Sequence, residues 1–150
     1  MYWGQAFPNG LIWLYEISTK FNSVEYIKMI KEFAGKILHL NMKPNYTFVQ
    51  DNSRVHTSKL AKAFLTTLPC DVLEWPARSA DLNLIENVWK MISDLVYKDS
   101  QASNFDDLRR KVRNAVHEIN TTKREVISDM FCNYQRRLTS VLISKGNLIN

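Results

Sequence analysis

The sequence is poor in cysteine and has no long apolar run. Its only cysteines, Cys70 and Cys132, lack the spacing of a metal-binding motif. This usage is typical of reduced thiols in an intracellular protein. A transmembrane helix needs about eighteen or more consecutive apolar residues. No such run exists, which excludes a membrane span, and no membrane partner is expected. Residues 1–10 lack the pattern of a secretory signal peptide. Internal repeats and low-complexity segments are also missing.

The composition is that of one globular domain with a basic surplus. The chain has 150 residues, of which 45% are hydrophobic and 23% are charged. This length and apolar content predict one domain over residues 1–150 with a sizeable core. The order of strand and helix patterns divides this domain into a core over about 1–98 and C-terminal helices over about 104–146. The net charge of +5 favours a polyanionic partner without proving one.

Strand patterns occur in the first half of the chain. Asn9-Gly10 separates two apolar segments and predicts a β-hairpin of residues 2–7 and 11–17. Tyr46–Gln50 is predicted to form a buried strand that ends at Asp51, and Asp71–Glu74 a shorter one. Together with the helices, these segments predict an α/β fold that leans towards α+β, with a mixed sheet of about four strands.

Helical patterns dominate the second half. Apolar residues at helical spacing predict helices over about 24–39, 59–67, 82–97, 105–119, 123–131 and 132–144. Asn22 or Ser23, Ser58 and Asp81 are the expected N-caps. Asn120–Thr122 is expected to separate two helices. In the second helix the residues expected to face inward are Leu60, Ala61, Phe64 and Leu65.

Two acidic residues stand out by their positions. Asp51 follows a predicted strand, and Glu86 lies near the beginning of a predicted helix, with thirty-four residues between them. Mg²⁺ prefers one or two carboxylates completed by water and phosphate oxygens. In two-metal phosphoryl-transfer sites such carboxylates hold the ions at the attacking and leaving oxygens. Simpler interpretations remain open, because Asp51 could close a turn and Glu86 could be a first-turn acid favoured by the helix dipole.

Several short segments resemble the catalytic domain of mariner/Tc-type transposases, most closely the Tc-like branch. The matching segments are Gln50–Asn52, His56-Thr57, Trp75-Pro76, Ser79, Asp81–Asn83 and Ile85–Trp89. The resemblance implies an RNase H-like fold with an Asp, Asp, Glu triad, in which Asp51 is the second carboxylate and Glu86 the third. It also implies Mg²⁺ or Mn²⁺ as cofactor, cut-and-paste DNA transposition and integration, and a nuclear location. Transposon ends and target DNA are the implied partners, and a homodimer is left open.

The match departs from the family pattern at a few positions. Ser53-Arg54 stands where the family has Ala-Pro, and Ala80 and Leu84 stand where it has proline. The strand with the first Asp and the upstream DNA-binding helices are expected to lie outside these residues, so we expect no full transposition by this chain alone. The alternative function is a non-catalytic nucleic-acid-binding or protein-association module derived from a transposase.

Residues around the two carboxylates are candidates for supporting roles. Asn52 and Asn87 could hold the carboxylates in place, as metal sites require. His56 could orient a phosphate or water, or it could be a hydrogen-bonding strut. Asp81 is the competing acid, interpreted as a helix cap. Trp75 and Trp89 are expected in the core rather than stacked on bases.

Basic residues are candidates for contact with DNA. Arg78 lies on the loop that precedes the Glu86 helix, where a phosphate could approach. A second group lies on one helix and comprises Arg109, Arg110, Lys111 and Arg113. Lysine and arginine contacts supply the salt-dependent, sequence-independent part of DNA binding. Both sets could equally be solvated surface residues.

Overall fold

The computed structural model describes residues 1–38, 47–76, 79 and 82–144. The elements are β1 (Tyr2–Ala6), β2 (Ile12–Glu16), α1 (Ser23–Leu38), β3 (Thr47–Phe48), α2 (Lys59–Leu65), β4 (Asp71–Val72), α3 (Leu84–Tyr97), α4 (Phe105–Thr122), α5 (Arg124–Cys132) and α6 (Tyr134–Ile143). The chain divides into two compact units, one of Met1–Ile17 with Ala80–Asn150 and one of Ser18–Ser79. In the described part of the chain, no helix has the length and apolar character needed to cross a bilayer.

The first unit begins with the predicted hairpin, which is confirmed. Strands β1 and β2 pair antiparallel, with Gly4 opposite Leu14. Gly10 closes the turn at a φ of 83°, and its amide donates to the Phe7 carbonyl at 2.9 Å. Only glycine adopts this left-handed conformation without strain, which explains why Asn-Gly is the turn signal here.

The hairpin packs with α3, α4 and α5 around one apolar core. The buried residues are Ile12, Val88, Ile92, Val96, Val112, Ala115, Ile119 and Ile127. They recur at three- and four-residue intervals on α3 and α4, so each helix buries one face. Trp89 packs against this core, as predicted. It fits because Gly4 has no side chain: a Cβ there would lie 2.7 Å from Cζ2 of Trp89.

Helix α4 is longer than the sequence predicted. The expected break at Asn120–Thr122 is wrong, because α4 continues to Thr122. Asn120 is held within the helix by β2. Its Oδ1 accepts from the Ile12 amide at 2.8 Å, and its Nδ2 donates to the Ile12 carbonyl at 2.9 Å. The Asn120 side chain therefore hydrogen-bonds both the amide and the carbonyl of Ile12, at the outer edge of the hairpin.

The second unit contains α1, α2 and a short parallel pair of strands. Tyr26, Met29 and Ile30 of α1 are buried, as are Ala61 and Leu65 of α2. Ser58 caps α2 as predicted, accepting from the Ala61 amide. The prediction that Leu60 faces inward is wrong, since this residue is 53% exposed. Ala61 and Leu65, one turn apart, form the buried face of this short helix instead.

The strands of the second unit are shorter than predicted. Strand β3 pairs parallel with β4, with Phe48 beside Val72. Tyr46, the expected first residue of β3, lies outside the described residues. The expectation of a buried strand is wrong at Val49, which is 42% exposed. Both antiparallel and parallel pairing are present as expected. Within the described residues, however, they form two separate two-stranded sheets rather than one sheet of about four strands.

Candidate active-site carboxylates

Asp51 lies in the turn that follows β3, and its carboxylate is held by one oxygen. Oδ1 of Asp51 is 2.7 Å from Nδ1 of His56 and accepts from the Ser53 amide at 3.0 Å. Among the described residues, no donor binds Oδ2. The side chain is 55% exposed. One oxygen of the carboxylate is thus held in place, and in this half-exposed side chain the second oxygen has no donor among the described residues. This arrangement suits a metal ligand.

His56 is a buried residue that hydrogen-bonds Asp51, not an exposed group. It is buried, and its ring centroid lies 4.6 Å from that of Tyr26. The turn that carries it is closed by Ser53, whose carbonyl accepts from the Thr57 amide at 3.0 Å. An ionised carboxylate only accepts hydrogen bonds, so Nδ1 carries the proton that faces Asp51. Of the two roles considered, this geometry supports the hydrogen-bonding one.

Tyr26 is a neighbour of the site that sequence reasoning missed. It is fully buried on α1, and its hydroxyl donates to Oε1 of Gln50. Burial, and secondly the negative charge of Asp51, raise the pKa of the Tyr26 phenol above its ordinary value. The phenol therefore stays protonated and remains a donor. The only available signal was a tyrosine on a helix face that otherwise buries Met29 and Ile30.

Asn52 positions the loop rather than the carboxylate. Its Nδ2 donates to the Trp75 carbonyl at 2.6 Å. This bond joins the segment after β3 to the segment after β4. Trp75 is half-buried.

Glu86 lies in the first turn of α3, in the other unit. The helix is capped by Asn83, whose Oδ1 accepts from the Ile85 amide at 3.4 Å. The predicted cap, Asp81, is therefore wrong, and Asp81 itself lies outside the described residues. Leu82, just before the cap, is buried. Glu86 is exposed, and an acid here is favoured by the helix dipole whatever else it does.

Among the described residues, no hydrogen bond joins the Asn87 side chain to its neighbour Glu86. Its Oδ1 accepts from Nη2 of Arg137 on α6, at 3.5 Å. The bond ties the beginning of α3 to the last described helix. Asn87 therefore supports the helix that carries Glu86 and not the carboxylate directly.

The basic cluster on α4 is largely engaged within the protein. Arg109 donates to Oε1 of Glu16 at 2.7 Å and lies 4.7 Å from the Phe105 ring centroid. The hydrogen bond from Arg109 lowers the pKa of Glu16 below its ordinary value. Arg110 is paired with Asp107.

The other two members of the cluster differ from each other. Nζ of Lys111 donates to the Ser100 carbonyl at 2.6 Å. Arg113 is exposed and has no ion pair in the described part of the chain. The second basic candidate, Arg78, lies outside the described residues. Of this cluster, Arg113 is therefore the member whose charge is most available to a phosphate.

The donor set suits a magnesium-type ion. No group of three or more His, Cys, Asp or Glu side chains that could hold a metal occurs within residues 1–38, 47–76, 79 and 82–144. Mg²⁺ does not require one, because it usually keeps several waters and takes one or two protein carboxylates. Asp51, with a fixed carboxylate and an open oxygen, fits that description.

Comparison with known proteins places these residues in a family. The family model described as DDE superfamily endonuclease matches residues 8–109, which include both Asp51 and Glu86. The Tc3 transposase of Caenorhabditis elegans is 26% identical over 151 residues, covering 100% of this chain and 45% of that protein. The Tcb2 transposase of Caenorhabditis briggsae is 32% identical over 101 residues, covering 67% and 36%. The chain spans less than half the length of these two relatives.

The fold agrees with a solved transposase domain. The catalytic domain of Mos1 transposase, in a structure with raltegravir and manganese, superposes with a TM-score of 0.73 at 16% identity. The superposition covers 93% of this chain and 70% of that one. It confirms the predicted RNase H-like α/β fold. With the family match extending over more than half of its residues, and with Tc-type transposases as its relatives, the chain belongs to the DDE superfamily of endonucleases.

Proposed function

We propose that this chain forms part of the catalytic core of a Tc-type cut-and-paste transposase. In this proposal Asp51 and Glu86 bind a divalent metal and act on DNA at phosphodiester bonds. The observation that carries it is the Asp51 carboxylate, held at Oδ1 by His56 and open at Oδ2, within the residues matched by the endonuclease family. The thirty-four residues that separate it from Glu86 agree with the Tc-like pattern.

The implied metal is Mg²⁺ or Mn²⁺. A structure of the Mos1 catalytic domain was determined with manganese, and oxygen ligands suit both ions. When bound, the ion would polarise a phosphoryl oxygen and lower the pKa of a coordinated water. The protein's own contribution at Asp51 is orientation, because His56 and Ser53 fix the carboxylate before any ion arrives.

The remaining assignments follow from the same proposal. His56 orients Asp51, Asn52 holds the loop that carries it, and Asn87 holds the helix that carries Glu86. Arg78 and Arg113 are the proposed phosphate contacts, whereas Arg109, Arg110 and Lys111 serve the fold first. DNA as substrate, a nuclear location and a homodimer stay predictions.

Metal binding is tested by titrating the 150-residue chain with Mn²⁺ alone and following paramagnetic broadening of its amide NMR signals. We expect broadening near Asp51 and near Glu86, and its loss at low Mn²⁺ in Asp51→Asn and Glu86→Gln. Matched controls are Asp71→Asn, an exposed acid of the same unit as Asp51, and Glu125→Gln, a first-turn acid of α5. Broadening that is unchanged in Asp51→Asn would refute the metal role.

Strand cleavage is tested separately with labelled duplex DNA and Mg²⁺, Mn²⁺ or EDTA. We expect metal-dependent nicking to require a third carboxylate beyond Asp51 and Glu86, so little or no cleavage is expected from these residues alone. A chain that binds DNA, binds no metal at Asp51 and does not cut would instead be the non-catalytic module. Nicking that Asp51→Asn abolishes would show that two matched carboxylates suffice.

A further inference from the structure

Tyr26 contacts the residue that precedes Asp51 and the residue that holds it. Its hydroxyl donates to Oε1 of Gln50, the immediate neighbour of Asp51 in the chain. Its ring lies against the imidazole of His56, at 4.6 Å between centroids and 42° between planes. His56 in turn holds Oδ1 of Asp51 at 2.7 Å. One side chain on α1 therefore reaches Asp51 by two routes.

The two routes act on different degrees of freedom of the carboxylate. The bond to Gln50 restrains the end of the segment that follows β3, and so the position of the Asp51 backbone. The ring contact restrains rotation of the His56 imidazole, and so the direction from which Nδ1 meets Oδ1. One further bond holds the turn that contains His56 against α1, because Oγ of Ser23 donates to the Val55 carbonyl at 3.2 Å.

Packing alone does not explain a tyrosine at this position. Tyr26 is 0% exposed, and the neighbouring positions on the same face are filled by Met29 and Ile30 at 2% and 3%. A buried hydroxyl is costly unless it finds a partner. Leucine or phenylalanine would fill the space without that requirement. What the hydroxyl adds is the bond to Gln50, next to the candidate ligand.

We propose that Tyr26 is a positioning residue for Asp51, orienting its carboxylate for a divalent metal through Gln50 and His56. The inference rests on the proposed function, because it takes Asp51 to be a metal ligand. It goes beyond that function by assigning a role to a residue on α1, which carries none of the matched motifs. Tyr26 itself touches neither metal nor DNA in this role.

Two substitutions separate the two routes. Tyr26→Phe keeps the ring against His56 and removes the bond to Gln50, so Mn²⁺ affinity at Asp51 should fall slightly. Tyr26→Leu removes both routes, and the loss should approach the roughly tenfold or greater change typical of removing an outer-sphere partner in a metal site. Affinity is measured by titrating Mn²⁺ alone and following broadening of the Asp51 and Asn52 amide signals in the whole chain.

A second readout needs no metal. The Nδ1 proton of His56 gives an imidazole ¹⁵N–¹H correlation that reports its hydrogen bond to Asp51. This signal should persist in Tyr26→Phe and should shift or broaden through solvent exchange in Tyr26→Leu. Ile30→Val is the matched control, since it makes a cavity on the same buried face without touching either route. It should lower stability while leaving the imidazole signal and the Mn²⁺ affinity unchanged.

The outcomes distinguish this inference from the proposed function. If Asp51→Asn does not weaken Mn²⁺ binding in the parent protein, the proposed function is wrong, and the orienting role is then decided by the imidazole signal alone. If Asp51→Asn weakens binding but Tyr26→Leu and Ile30→Val behave alike in both readouts, Tyr26 is only a core residue and the inference is overturned.

Discussion

Replacing Asn120 should detach the outer edge of the hairpin from α4. The side chain bonds both backbone groups of Ile12, at 2.8 and 2.9 Å, and Ile12 is 1% exposed. In Asn120→Ala, water cannot readily reach the two groups that are left without partners. A net hydrogen bond contributes about 0.5–1.5 kcal/mol, and a buried group without a partner costs about 1–3 kcal/mol. Two such groups would cost about 2–6 kcal/mol if fully buried. Because both contacts are only part-buried, the free energy of unfolding should fall by about 2–4 kcal/mol, the lower part of that range.

Two further variants make this prediction specific. Asn120→Asp keeps an acceptor for the Ile12 amide but points a second oxygen at the Ile12 carbonyl, so it should cost at least as much as alanine. Asn114→Ala is the matched control on the same helix, because Asn114 is exposed. Alanine has the higher helix propensity, so this control should be neutral or stabilising by up to about 0.7 kcal/mol.

The assays are urea unfolding and thermal unfolding, each followed by far-ultraviolet circular dichroism and tryptophan fluorescence. For a chain of this size, each kcal/mol lowers the melting temperature by about 2–4 °C. Asn120→Ala should therefore melt well below the parent protein and Asn114→Ala close to it. If the two alanine variants have equal stability, solvent replaces the Asn120 contacts and the reasoning is wrong.

Three other outcomes are expected. The hydrogen bond from Arg109 lowers the pKa of Glu16 below its ordinary value. The Glu16 carboxylate therefore stabilises the fold at pH values above the ordinary pKa of a glutamate, and this contribution is lost as the pH falls through the lowered pKa. Glu16→Gln should flatten the stability profile in this acidic range, and an unchanged profile would contradict the pairing. Gly10→Ala forces a non-glycine residue to a φ of 83° and places its Cβ 2.1 Å from the Arg124 carbonyl oxygen. This substitution should lower the free energy of unfolding, measured in urea, by at least about 2 kcal/mol. The control Pro8→Ala, in the same turn, should lower it by less than about 1 kcal/mol. Binding to duplex DNA should be weak, tolerant of sequence and sensitive to salt. Arg113→Gln should reduce the slope of log affinity against log salt concentration by about 1. Tight binding that is independent of salt would refute this prediction of DNA contact.

Local signals predicted most of the elements correctly. The Asn9-Gly10 turn and the Ser58 cap each depend on short-range chemistry that is readable in one segment. Where two local signals competed, the prediction failed. Asp81 and Asn83 are both good caps two residues apart, and helix α3 begins after the second, with Leu82 buried beside it.

The longer-range errors have a common cause. Asn120 is a poor helix former by propensity. The sequence offered no sign that the backbone of Ile12, more than one hundred residues earlier, would hydrogen-bond the side-chain amide of Asn120. On α2, Leu60 with Phe64 and Ala61 with Leu65 are two apolar pairs at helical spacing. Packing against α1 decides which pair is buried. In both cases a tertiary contact, and not the local pattern, determines the outcome.

The candidate site shows the same division between what is local and what is not. The motif identified Asp51 and His56 as neighbours, five residues apart, but left the histidine with two roles. The structure favours one role because Tyr26, on a different helix, lies against the imidazole while Nδ1 faces Asp51. A histidine used in this way leaves Oδ2 of Asp51 open, whereas a histidine turned outward would leave Oδ1 held by the Ser53 amide alone. The burial of His56 therefore supports the proposal that the exposed Asp51 is a metal ligand.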